Sequence, residues 1–180
     1  MSKIFSLDLA SIQSGWSIHD EKENLLSYGI IKPKPRKLTA DERLLVIHHE
    51  IEEIIKRESP SQAILENPAG GPDKDGGRGP MGNWTTMGVL FMCQGVARLS
   101  FQFHEIPYEI ISPSTWQNRL GFFKKYRDDR KAAARNYVVE KYKLSPDLEQ
   151  DIYDAICLHD CWVYMRDWKN KSESNEVSAF

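Results

Sequence analysis

Cysteine is scarce in this chain. Its three cysteines, Cys93, Cys157 and Cys161, are an odd number without metal-finger spacing. Neither a disulfide scaffold nor a zinc finger fits that pattern, and buried reduced thiols in a reducing, cytoplasmic setting are expected. Long apolar runs are missing too: none reaches the roughly 18–20 residues of a membrane span. Lys3 and Asp8 interrupt the apolar core that a secretory leader would need. No internal repeat is visible. Charge is nearly balanced, with 24 basic and 26 acidic residues and a net charge of −2. The chain is not globally basic, so only a local basic patch would bind a polyanion.

What remains suits one soluble domain: 180 residues, 41% hydrophobic and 28% charged. Residues 3–9 read as a buried strand. Residues 15–20 and 25–31 read as two more, joined by short polar connections in an antiparallel meander. Two prolines then leave the basic segment 32–37 as an extended loop. Thr39 with Glu42 forms a capping-box signature before a helix whose Leu44, Leu45, Ile47, Ile51, Ile54 and Ile55 make an apolar face at helical spacing. A short strand of parallel character covers 61–66. Residues 67–83 hold six glycines and three prolines, so a long functional loop is expected there. Helices follow over about 84–103, 128–142 and 147–166, with a strand at 107–111 and a short helix capped by Ser112 or Ser114. The tail from Lys169 is polar and reads as frayed. This order predicts an α/β ribonuclease-H-like fold, a mixed five-stranded sheet flanked by helices.

Four carboxylates carry the chemistry. Asp8 lies in the apolar run Ile4-Phe5-Ser6-Leu7-Asp8-Leu9, and Glu66 ends Ala63-Ile64-Leu65-Glu66. A carboxylate closing a buried strand is costly unless something positive meets it. Asp151 and Asp154, three apart, share a helix face. Four such groups brought together would repel one another, and divalent cations are the usual remedy. Two ions can activate water and stabilise the leaving oxygen of a phosphodiester, which predicts a metal-dependent nuclease. Asp147, Glu149 and Asp160 read as solvated, and His159, one turn beyond Asp154, as a helix-surface residue. A structural role for Glu66, capping the glycine-rich loop, is the bland alternative.

Between Ser112 and Lys143, nine basic residues face three acidic ones, a local net charge of +6. Trp116, Phe122, Phe123 and Tyr126 are interleaved. Basic groups contact phosphates and aromatics stack on unpaired bases, so Lys124, Lys125, Arg130, Lys131 and Trp116 are the candidate DNA contacts. The basic 32–37 loop, Lys74 and Arg78 are further candidates.

These features together resemble the RuvC family of Holliday junction resolvases, and most closely its small phage and viral relatives. The matching segments are the Asp8 strand, Glu66 and Leu90-Phe91-Met92-Cys93-Gln94-Gly95-Val96-Ala97. Ser112-Pro113-Ser114-Thr115-Trp116-Gln117 and the closing Asp151-Ile152-Tyr153-Asp154-Ala155 complete the set. The resemblance implies that Asp8, Glu66, Asp151 and Asp154 bind two Mg²⁺ or Mn²⁺ ions. It implies a homodimer, joined through the helix over 84–103, that nicks branched DNA symmetrically and leaves 5′-phosphate and 3′-hydroxyl ends. It also places Arg130 or Lys131 near a catalytic lysine of the family. The nuclease domain is expected over 1–168, with 169–180 as a flexible tail. The chain departs from the bacterial enzymes in having Leu9-Ala10 after the first aspartate and no aromatic shortly after Glu66. A ribonuclease H or flap nuclease, a non-catalytic junction-binding protein and an actin-like phosphate binder (Asp8 followed by Gly15) are the competing readings.

Overall fold

A computed structural model describes residues 2–33, 38–67 and 84–177, without the side chains of 84–86 and 173–177. Of the expected basic loop 32–37, residues 34–37 lie outside the described residues, as do residues 68–83 of the expected glycine-rich loop, Lys74 and Arg78 among them. β1 (Lys3–Asp8), β2 (Ser14–Asp20) and β3 (Leu25–Ile31) form the expected meander. α1 (Ala40–Glu58), β4 (Gln62–Glu66), α2 (Trp84–Phe103) and β5 (Tyr108–Ile111) follow. α3 (Pro113–Arg119), α4 (Arg127–Tyr142) and α5 (Gln150–Val177) close the chain. The strands make one five-stranded sheet in the order β3-β2-β1-β4-β5. β1 pairs antiparallel with β2 and parallel with β4, and β5 is parallel to β4.

Local chemistry sets the elements. Thr39 Oγ1 accepts from the Glu42 amide while the Glu42 carboxylate accepts from the Thr39 amide at 2.7 Å, so the capping box forms. α1 ends where Ser59 adopts φ 49°, just before Pro60.

Strand alternation divides the interior into two layers. Phe5 and Leu7 of β1 and Ala63 and Leu65 of β4 point to one face and pack with Ile47, Ile51, Cys93 and Phe101 of α1 and α2. Ile4 and Ile64 point the other way, into a core built by α3, α4 and α5. Asp8 and Glu66 keep the phase of Ile4 and Ile64, so both carboxylates open toward the α5 face. Small residues let α5 lie close: Ser6 and Ser17 face each other across β1 and β2, and Ser17 Oγ donates to the Ala155 carbonyl at 3.3 Å.

Three expectations change. α5 begins at Gln150 rather than 147, because Tyr153 Oη bonds the Ser145 carbonyl and the Leu148 amide and holds that stretch as a turn. It continues to Val177 because no proline or glycine interrupts it, so the polar tail is helical over most of its length. His159 and Asp160 are not surface residues: both are buried. His159 stacks on His19 with ring centroids 3.6 Å apart, at the sheet end remote from Asp8. Asp160 accepts from Tyr142 Oη at 2.6 Å and pairs with Lys141 at 3.0 Å. The three cysteines are free and buried, as expected. Among the described residues no helix is long and apolar enough to cross a membrane.

Candidate active site

Asp8 and Glu66 end adjacent parallel strands, with Leu7 beside Leu65 in register. Asp151 and Asp154 project from the first turns of α5. Gly15 makes the approach of that helix possible. It pairs with Asp8, and a β-carbon built on it would lie 1.8 Å from the Asp151 carbonyl oxygen. Only a residue without a side chain fits under the helix start. That contact accounts for Gly15 without a phosphate-binding loop.

Carboxylate oxygens of Asp8, Asp151 and Asp154 all lie within 4.8 Å of one another. Glu66 joins through Asp8, since the two carboxyl groups lie close enough for Glu66 to raise the Asp8 pKa. Two unit charges at such a separation repel by roughly 3 kcal/mol at an effective dielectric of ~20. The protonation equilibria carry the imprint. Burial and then Glu66 push Asp8 well above the usual carboxylate range. Burial raises Glu66 as well, against the hydrogen bonds from Asp8 and Trp116. Burial and then Asp8 lift Asp154 to about 7. Lys131 opposes the shift at both Asp8 and Asp154.

Neutral N–H groups hold the carboxylates in place. Gln13 Nε2 donates to Asp151 Oδ2 at 2.8 Å, and Gln150 Nε2 to Asp154 Oδ1 at 2.8 Å. Trp116 Nε1 donates to Glu66 Oε1 at 2.9 Å, and Gln94 donates to the Glu66 carbonyl. Such donors fix orientation without neutralising charge. An all-oxygen, anionic donor set without histidine or cysteine suits a hard divalent cation such as Mg²⁺ or Mn²⁺. The residues present therefore fit the implied ions.

Sequence reasoning did not single out these amides. Gln150 carried a signal, being four residues before Asp154 on one helix. Gln13 carried none, since its partner is distant in the chain. Trp116 requires a correction: it is 3% exposed, packed edge-on against Phe122, and so offers no face to a base. Arg130 also differs from expectation. Its Nη1 donates to the carbonyls of Lys124 and Lys125 at 2.9 and 3.0 Å, so it clips a loop instead of standing free. The charge of Lys131 acts on both Asp8 and Asp154, lowering each. Lys124 and Lys125 are exposed.

No protein-family model and no curated protein matches the chain by sequence. Solved structures do match. Thermus thermophilus RuvC superposes with a TM-score of 0.67 at 15% identity, over 91% of this chain and 96% of that one. The same protein bound to a Holliday junction substrate gives 0.67 at 14% identity, over 92% and 96%. Yeast mitochondrial Holliday junction resolvase Ydc2 gives 0.54 at 10% identity, over 96% and 86%. The order of strands, the α5 face and the nearly complete coverage of both chains agree: the fold of this protein is the RuvC fold.

Proposed function

We propose that the protein is a divalent-metal-dependent endonuclease that resolves four-way junctions or other branched DNA by paired nicks. The observation that carries this reading is the cluster of Asp8, Asp151 and Asp154, with Glu66 beside Asp8 at the end of the adjacent strand of a RuvC-type sheet. Two Mg²⁺ or Mn²⁺ ions held by these four residues would supply an activated water and a counter-charge for the leaving oxygen. Gln13, Gln150 and Trp116 keep the carboxylates in one arrangement, so little reorganisation precedes the reaction. Lys131, whose charge acts on Asp8 and Asp154, would meet the scissile phosphate, while Lys124 and Lys125 would contact the backbone farther along. The nuclease domain spans 1–168, and the products carry 5′-phosphate and 3′-hydroxyl ends.

The active form in this reading is a homodimer, since a two-fold junction suits a two-fold protein. α2 supplies the surface. Phe91, Met92, Leu99 and Phe103 are 58%, 52%, 51% and 75% exposed. Gly88 and Gly95 lie on the same helix, and a β-carbon on either would meet none of the described residues within 4 Å. Each helical glycine costs about 1 kcal/mol relative to alanine, and a second copy of the helix packing closely would offset that.

Synthetic four-way junctions, forks, flaps, linear duplex and RNA–DNA hybrids, offered side by side with Mg²⁺, test the reading. Paired nicking of the four-way junction and little cutting of linear duplex are expected. Asp8→Asn and Glu66→Gln are expected to lose nicking by at least about a thousandfold, with junction binding retained in Ca²⁺. Preference for the hybrid would make the protein a ribonuclease H, and wild-type rates in either variant would defeat the assignment of the site.

A further inference from the structure

The connection between α3 and α4 holds an aromatic side chain out into solvent, and its construction indicates a purpose. Phe123 is 76% exposed, although the residues on either side of it are fixed. Gly121 turns the chain at φ 80°, and the Phe122 amide then donates to the Gln117 carbonyl at 2.8 Å. Phe122 is buried edge-on between Trp116 and Tyr137, with ring centroids 6.1 and 5.7 Å away. The Lys124 amide donates back to the Phe122 carbonyl at 2.8 Å, folding the backbone sharply around Phe123. Arg130 clips the two following carbonyls. A loop pinned at both sides with a large apolar ring at its apex is a rigid post. Leaving that ring in water forgoes the burial that would stabilise a phenylalanine elsewhere.

The post is tied to the active centre. Trp116 packs on Phe122 and donates to Glu66, so one rigid chain of contacts runs from the apex to a carboxylate of the site. Its immediate surroundings are cationic: Lys124, Lys125 and Arg127 are exposed. Tyr126, 61% exposed, lies under the Lys125 ammonium at 5.4 Å. An apolar ring among cations fits a flat apolar group flanked by phosphates, which describes an unpaired nucleobase.

We infer that Phe123 stacks on a nucleobase exposed at the branch point of the DNA, with Lys124 and Lys125 holding the flanking phosphates. This rests on the nuclease reading above, and deepens it by assigning the residue that distinguishes branched from paired substrate. Every base has a face to stack on, so the contact is selective for unpairing rather than for sequence. A continuous duplex offers no such face.

The experiment uses the full chain in Ca²⁺ with a four-way junction carrying 2-aminopurine at the branch point, and a matched linear duplex. Phe123→Ala is expected to weaken junction binding roughly tenfold and to abolish the fluorescence change on binding. Phe123→Trp is expected to restore both. Duplex binding and the salt dependence of junction binding are expected to stay unchanged, because no charge is lost. Wild-type affinity and an unchanged 2-aminopurine signal in Phe123→Ala would overturn the stacking role while leaving the nuclease reading intact. A change in sedimentation alone would assign the ring to a contact between copies and overturn it as well. A wild-type protein that binds no branched DNA would overturn both.

Discussion

The main chain of Asp151 rests directly on Gly15, so closely that a β-carbon there would stand 1.8 Å from the Asp151 carbonyl oxygen. Gly15 is paired with Asp8 across β1 and β2, so the helix that brings one carboxylate is seated on the neighbour of another. Gly15→Ala is therefore expected to lift the first turn of α5 off the sheet. The overpacking should destabilise the protein by about 1–3 kcal/mol without unfolding it. Mn²⁺ binding, followed by calorimetry, should weaken far more than this modest loss in a thermal melt would suggest.

Trp116 carries the only indole N–H bonded to the four carboxylates among the described residues. Trp116→Phe keeps the ring against Phe122 but removes that donor. The Mn²⁺ concentration needed for half-maximal cleavage is expected to rise about 10- to 100-fold. Cleavage at saturating metal should recover most of the way. An unchanged metal midpoint would show that Glu66 needs no such anchor.

The stacked pair of His19 and His159 sets an acid limit on stability. Burial, and then the charge of His159, lowers the His19 pKa to about 2, with Asp160 opposing and Lys141 adding to the effect. The folded state thus excludes a proton that the unfolded chain accepts below about 6.5. Stability from this group is complete above that value and falls as the pH drops toward about 2. At pH 4 the loss amounts to roughly 3 kcal/mol. Asp8, Glu66 and Asp154 act in the opposite sense without metal, because their raised values favour the fold at low pH. His19→Phe separates the two: its melting temperature in EDTA should fall less between pH 7 and pH 4 than that of the wild type.

Phe91 stands at the centre of the exposed row on α2. In the proposed dimer, Phe91→Glu is expected to weaken self-association at least a hundredfold, equivalent to about 3 kcal/mol for a charge left without a partner in an interface. Sedimentation velocity reads this directly. Paired nicking should give way to single nicks, with the Mg²⁺ requirement unchanged.

The framework and the four carboxylates were legible in the sequence because each left a local mark. Asp8 and Glu66 close apolar strands, where a carboxylate is costly unless something positive meets it, and Thr39 with Glu42 announces α1. The missing parts are those whose meaning lies across the fold. His159 and Asp160 looked solvated because charged or polar residues on a helix usually mark its wet face. α5, however, is enclosed along this stretch by the sheet and α4, and the partners that make burial tolerable, His19, Lys141 and Tyr142, come from those elements. Trp116 was read as a stacking group from its basic neighbours, while its actual orientation depends on how α3 docks against Glu66 and Phe122.

Gln13, Gln150 and Trp116 steady the acidic centre with groups that bear no formal charge. The repulsion is therefore relieved only by protons, by Lys131 or by cations taken up, and in the proposed nuclease a phosphodiester would be turned away until cations fill the centre. In the proposed nuclease, cation uptake and strand engagement would be two halves of one equilibrium. Whatever factor the ions add to the affinity for a cleavable strand, the strand must return to the affinity for the ions.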